Sequence, residues 1–261
     1  MKTILALFFV IMLFIGSDHE KLIRFTGKPE IFTTDKLGNI YIYFDSQVVK
    51  YTPEGIKTAT FTSYETGKLY FLDASDPMQL MLFYKDFNQV QFLDNRLNQL
   101  GKPLFPDIID FSAVSSICKS RQFAVWMCDE YQNKLIHYGF NPSKILCSIN
   151  LENSDIAAAE VTYMLESGNE VYLYAKNKGI WVFDYTGTLT KKIDLVADKH
   201  FQIRNNQLIY SHNGKIILFN LQDGKSDTII PPHYKSFDLA RIENGNIYVL
   251  NYDSLKIFSS E

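Results

Sequence analysis

The sequence predicts an all-β fold: six four-stranded antiparallel sheets set radially as the blades of a propeller, with the last blade closed by the N-terminal strand. Three observations carry this prediction. A strand-turn-strand motif recurs six times at a spacing of about 41 residues, the period of a blade. Each copy fills out into short alternating strands separated by Gly, Asn and Asp turns. The final copy stops one strand short, and the N-terminal region carries a spare strand with no partner of its own.

In each copy an alternating strand ends in Asp or Asn and a tight turn follows; in most, the next strand then carries an aliphatic residue three positions before an aromatic one. The copies begin at residues 40–45 (then Val48, Tyr51), 80–86 (then Phe92) and 123–129 (then Leu135, Tyr138). They continue at 171–177 (then Ile180, Phe183), 208–213 (then Ile216, Phe219) and 247–253 (then Leu255, Phe258). The fourth copy predicts all its strands: an apolar stretch over 156–164, the turn Ser167-Gly168-Asn169, strands over 171–175 and 180–185, and a last strand over 189–195 after Thr186-Gly187. Val, Ile, Tyr, Phe and Thr dominate these segments, as a pleated, half-buried surface favours. No segment beyond residue 17 has helical periodicity.

The sixth copy ends at Ile257-Phe258-Ser259-Ser260-Glu261, directly after its third strand. Residues 20–26, Glu-Lys-Leu-Ile-Arg-Phe-Thr, form a lone strand. Pairing it with the last strand closes the ring, so that blade six is shared between both ends of the chain and the sheet edge is removed.

Before that strand, Lys2 precedes an apolar run of twelve residues, 4–15, then Gly16-Ser17 and the charged Asp18-His19-Glu20-Lys21. This is the layout of a secretory signal peptide, and the run falls short of the roughly 20 residues a membrane span needs. The expected organisation is a signal peptide over 1–17, cleaved near Ser17, and one propeller domain over 18–261. Ile15 departs from the small residue preferred before such a cleavage site, and no cysteine is placed for lipidation. Hydrophobic residues at 46% and charged residues at 21% fit a globular domain. Without Lys2 the formal charge moves from −3 to about −4, far from the basic footprint of a nucleic-acid binder, so no nucleic-acid partner is expected. Cys118, Cys128 and Cys147 all lie in apolar strand contexts and are expected to behave as small buried hydrophobes.

The strand starts Gly38-Asn39-Ile40-Tyr41-Ile42 and Gly245-Asn246-Ile247-Tyr248-Val249, with Ile180-Trp181-Val182-Phe183-Asp184-Tyr185-Thr186-Gly187, resemble the six-bladed β-propellers of the NHL and TolB-like kind, including exported propellers of Bacteroidota-type bacteria. The resemblance spans residues 20 to 261 and is one of architecture. The second and third copies depart from it: Asp94-Asn95-Arg96-Leu97-Asn98 and Asn141-Pro142-Ser143 stand where an Asp-x-x-Gly turn is expected. By analogy with that family, ligands and partners meet the face formed by the turns between second and third strands.

Those turns carry Asp45, Asp86, Asp129, Asn177, Asn213 and Asp253, one per blade. A ring of carboxylates and amides could line a cation- or sugar-binding funnel; equally, Asp and Asn are what tight turns use for their own backbone bonds. Among the five histidines only His200 and His212 form a local pair. If Asn205-Asn206 is a two-residue turn they point to opposite faces, and a three-residue loop would reverse that. No metal site or cofactor is predicted. No nucleophile elbow, His-Glu-x-x-His or phosphate-binding glycine loop occurs, and carboxylate pairs such as Asp129-Glu130 read as solvated charge.

Aromatic residues reach 15%, and most fit alternating strand positions that fill the gaps between blades. Tyr64, Phe87, Phe105, Tyr131 and Tyr234 fall instead in predicted loops. Of these, Phe105, Tyr131 and Tyr234 join the ring of turn residues as a candidate ligand or partner face, since apolar tips on rigid loops fit protein contact. The leading expectation is a non-enzymatic cell-envelope propeller that binds a protein, in concrete form a periplasmic subunit that docks on, caps or plugs an outer-membrane secretion or transport complex. The competing expectation is an exported carbohydrate- or small-molecule-active propeller, a glycoside hydrolase, lyase or lectin, using the acids of the turn face.

Overall fold

The computed structural model of the chain describes residues 21–25, 27–62, 67–104, 113–121, 123–141, 143–231 and 236–259. Within them the chain is strand and turn, and the only helical pieces are single 3-10 turns at Lys85–Phe87 and Ala158–Glu160. β1 is Lys21–Arg24. The first blade comprises β2 (Ile31–Thr34), β3 (Ile40–Phe44), β4 (Gln47–Tyr51) and β5 (Lys57–Thr62), and the second β6 (Phe71–Asp73), β7 (Gln79–Tyr84) and β8 (Gln89–Asp94). The third holds β9 (Val114–Ser120), β10 (Ala124–Asp129), β11 (Lys134–Phe140) and β12 (Ser143–Asn150). The fourth holds β13 (Val161–Ser167), β14 (Glu170–Ala175), β15 (Gly179–Asp184) and β16 (Leu189–Ile193). The fifth holds β17 (Phe201–Arg204), β18 (Gln207–His212), β19 (Lys215–Asn220) and β20 (Ser226–Ile229). The sixth joins β21 (Leu239–Glu243), β22 (Asn246–Asn251) and β23 (Ser254–Ser259) to β1.

Every blade is an antiparallel meander, and the shared sixth blade is as expected: Lys21 pairs with Ile257 and Arg24 with Ser254. The pairing runs one residue further through the Phe25 N–H, which donates to the Asp253 carbonyl at 2.8 Å. Among the described residues the second blade shows three strands. At its outer edge Leu104 and Val90 exchange two backbone hydrogen bonds of 2.8 Å, and Gln99 bridges to Leu93. In the fourth blade the first strand starts at Val161, later than residue 156, because Ala158–Glu160 turns tightly before it.

Strand alternation sends successive side chains to opposite faces, and a propeller blade has a neighbour on each. Ile40 and Ile42 of β3 pack towards blade six, whereas Tyr41 and Tyr43 pack towards blade two. Six buried clusters result, one between each pair of neighbouring blades. The outermost strands β5, β16 and β20 are largely exposed, while β7, β10 and β14 are almost wholly buried. Burial of each large apolar side chain contributes roughly 1.5–3 kcal/mol, so these clusters are the main stabilising term. Polar stitches join the blades at their inner ends. The Leu69 N–H donates to the Tyr43 hydroxyl at 3.2 Å, the Lys119 N–H to Asp73 at 3.0 Å, and the Arg241 Nε to the Thr34 hydroxyl at 2.8 Å.

One turn recurs on the face where the inner strands end. Asp35, Asp94 and Asp184 each accept two backbone N–H bonds on Oδ1, from the residues two and four positions on, at 2.8–2.9 Å. The residue three positions on has positive φ in all three: Gly38 at 82°, Gly187 at 96° and Leu97 at 65°. The departure in the second copy is therefore one of residue type, with the turn itself kept. Leu97 is 3% exposed within the cluster between blades one and two, and that burial offsets the strain of a left-handed leucine.

Candidate functional site

The ring has two faces. The turns between second and third strands, with the loops leading into each inner strand, form one, termed here the turn face. The ends of the inner strands form the other.

On the turn face the six polar positions sit one per blade, and among the described residues no hydrogen bond or ion pair joins any two of them. Each serves its own turn. Asp45 and Ser46 make a two-residue hairpin with φ of 48° and 60°, and Asn177 and Asn213 take φ of 63° and 50°. Asp129 is 0% exposed; its Oδ1 accepts the Tyr131 and Gln132 N–H groups at 2.9 and 3.0 Å. Asp86 lies in the 3-10 turn and lines a cleft of about 520 Å³ with Lys85, Phe87 and Glu130. Asp253 takes part in the ring closure through its carbonyl.

The same turns hold aromatic side chains out into solvent. Tyr131 is 85% exposed, Tyr252 65% and Phe87 52%. All three are anchored. The Tyr131 N–H is held by Asp129 and the Tyr252 N–H by Asn251 Oδ1 at 2.9 Å. The Phe87 ring covers Gly67, where a Cβ would come within 2.6 Å of it. Lys28 lies 5.5 Å from the Tyr252 ring centre, and Lys85, bonded to Glu130 at 3.0 Å, lies 5.3 Å from that of Tyr70. Phe105 and Tyr234, together with Tyr64, lie outside the described residues.

The opposite face holds a feature that the sequence reading missed. A cavity of about 460 Å³ opens there, lined by the ends of all six inner strands and by none of the nine predicted residues. Its floor is Phe71, which packs against three of the six inter-blade clusters and meets Tyr163 edge-on at 5.6 Å. Arg241 enters from β21. Its charge opposes the burial that pushes the Tyr163 phenol up, and together with burial it holds His200 down to about 4. His200 stacks on Tyr163 at 4.6 Å, while His212 points elsewhere, its Nδ1 3.5 Å from Asp198. Asn205-Asn206 is indeed the two-residue turn that separates them, with Arg204 paired to Gln207.

A second hollow of about 360 Å³, between blades three and four, brings Ser120, Trp126, His137 and Glu166 together. The Ser120 hydroxyl donates to Glu166 and lies 2.9 Å from His137 Nε2, and the Trp126 indole donates to the same carboxylate oxygen at 2.8 Å. In a nucleophilic triad the imidazole stands between hydroxyl and acid and takes the hydroxyl proton. Here the hydroxyl stands in the middle and gives its proton's bond to the acid. His137 stacks flat on Trp126 at 4.2 Å, and burial keeps its imidazole pKa below the usual value. The group works as a polar latch between two blades. The three cysteines are free thiols; burial pushes those of Cys118 and Cys128 well up, away from nucleophilic character.

The chain matches no protein-family model and no curated protein sequence. Solved structures do match. Virginiamycin B lyase from Staphylococcus aureus superposes with a TM-score of 0.63 at 13% identity, over 92% of this chain and 98% of that one. This chain is a six-bladed β-propeller. The propeller also matches the Pan2 WD40 domain of Neurospora crassa, with a TM-score of 0.59 at 10% identity over 90% of this chain and 89% of that one. A third match is PorZ of Porphyromonas gingivalis, an essential bacterial surface component of the type-IX secretion system; its TM-score is 0.53 at 10% identity, over 92% of this chain and 38% of that one. At such identities the likeness is one of fold, since propellers of one architecture host unrelated functions. Among the described residues no helix is long and apolar enough to cross a membrane, and no three His, Cys, Asp or Glu side chains converge on a metal position.

Proposed function

We propose that this propeller is a non-enzymatic protein-binding component of the cell envelope, exported by its N-terminal segment, that docks on, caps or plugs an outer-membrane secretion or transport complex. The carrying observation is the set of anchored, solvent-exposed aromatics Phe87, Tyr131 and Tyr252 on one face of a rigid ring. Large aromatic side chains held on fixed turns lose little entropy on binding and bury much area, which is how protein contact surfaces gain affinity. The signal-like residues 1–17 and the use of this fold in a surface component of a secretion system support the envelope setting. The competing reading, chemistry by the turn-face acids, is weakened by Asp129, whose carboxylate is buried and engaged in its own turn.

The test is affinity purification of the C-terminally tagged chain from detergent-solubilised envelopes of its host, with quantitative mass spectrometry. An integral outer-membrane protein should be recovered in near-stoichiometric amount. The triple variant Phe87→Ser, Tyr131→Ser, Tyr252→Ser should lose it by at least about tenfold, as expected when anchor residues are removed. Its melting temperature should stay close to that of the parent, because the side chains are exposed. A parent that purifies alone, or a folded triple variant that retains the partner in full, would sink the proposal.

A further inference from the structure

We infer that the cavity on the opposite face is a binding site for a small organic anion, a carboxylate on an apolar body, gripped by Arg241. Carboxylates and cations in this cavity are unequally paired. The four carboxylates in the cavity wall are each held by protein donors. Asp73 accepts the Ser75 and Lys119 N–H groups at 2.8 and 3.0 Å, and Asp76 takes the Lys119 ammonium at 2.8 Å. Glu166 takes Ser120, Trp126 and Arg121, and Glu243 takes Arg204 at 2.9 Å. The cations are not all matched in return. Lys119 and Arg121 are consumed by those pairs, but among the described residues neither Arg241 nor Lys36 has a carboxylate within 4.0 Å.

Arg241 keeps its Nε–H on the Thr34 hydroxyl at 2.8 Å, lies beside the Tyr163 hydroxyl, and its charge acts on Glu243 without an ion-pair contact. The rest of the fork carries no carboxylate inside a cavity floored by Phe71 and Tyr163. A guanidinium fork matches a carboxylate with two parallel hydrogen bonds, and a partly dry setting strengthens them. The volume of about 460 Å³ falls within the range of small-molecule sites. The aromatic floor supplies the surface for an apolar body, and Lys36, exposed at the rim on the turn after β2, adds long-range attraction.

The experiment uses phenylacetate and its neutral counterpart phenylacetamide, followed by the Arg241 Nε–H cross-peak in protein NMR. Phenylacetate is expected to shift that peak saturably, and the amide to leave it in place. Arg241→Gln should weaken phenylacetate binding at least about tenfold, the worth of a charge-assisted hydrogen bond. Lys36→Gln, which removes an exposed charge and no stitch between blades, should weaken it by about twofold to fivefold and reduce its salt dependence. For Arg241→Gln, unchanged spectra of residues remote from blades one and six confirm folding. If it did not fold, Lys36→Gln and the amide comparison would decide. Equal binding of amide and acid, no saturable shift with phenylacetate, or binding unchanged in both variants would each overturn the inference.

Discussion

His200 illustrates how a single side chain in this ring ties structure to conditions. Burial, with Arg241 and Lys199 nearby, holds its folded pKa at about 4, whereas an unfolded histidine titrates near 6.5. Between those values the unfolded chain binds a proton that the folded chain does not, so stability falls as pH falls through this window and levels off below it. The expected loss from pH 7 to pH 4.5 is about 2 kcal/mol. His137, also lowered by burial, adds in the same direction. Urea titrations at both pH values check this, and His200→Phe should flatten the acid limb; an equally steep limb in that variant would remove His200 as the cause. Asp76, Asp184 and Glu160, whose carboxyls hydrogen bonds hold below the usual range, add a smaller loss in the same direction near pH 4.5, so the difference between the parent and His200→Phe isolates the histidine.

Among the elements, β1 has a role out of proportion to its four residues. Ile23 is 9% exposed in the cluster between blades six and one, and Phe25 meets Phe44 and Tyr51 at 5.9 and 6.4 Å. Without β1, strand β23 becomes an open edge with unpaired backbone groups beside an uncovered apolar surface. Deleting residues 1–25 should lower stability by about 3–5 kcal/mol, from one buried aliphatic side chain and the lost ladder. It should also make the chain associate as concentration rises. Thermal denaturation and sedimentation velocity test both effects, and a monomeric truncation that melts with the full chain would show that β23 needs no cover. The outer edge of the second blade, where the described residues show three strands, is a milder case, since Leu104 and Gln99 already occupy it.

The whole molecule separates two surfaces by the thickness of a blade, with Phe71 packed against three of the inter-blade clusters at the base of the cavity. Stiff blades joined by six apolar clusters offer no hinge among the described residues through which one face would sense the other. The two proposed functions should therefore be independent. The triple aromatic variant should bind phenylacetate as the parent does, and saturating phenylacetate should leave partner recovery unchanged. Titration of the variant by NMR and purification in the presence of the anion check the two directions. A coupling beyond about threefold in either would place both on one linked site.

Taken alone, the sequence determined the ring. Period-two alternation, the turn residues and the spare strand act over a few residues or by simple complementarity, and each is written in local chemistry. It also placed Phe87 and Tyr131 in exposed loops, while Tyr252 was hidden inside the sixth motif, where its position between Asn251 and Asp253 read as strand end. Residues 1–17, expected to be a signal peptide, lie outside the described residues, as do Phe105 and Tyr234. Only the tertiary structure decided which end of the channel opens into a cavity and which of its charges are left unmatched. The one available signal was charge at the ends of the inner strands, as in Arg241-Ile242-Glu243. That signal does not say who pairs with whom, because the partners are brought together by ring closure: Arg241 meets Thr34 across 207 residues of chain.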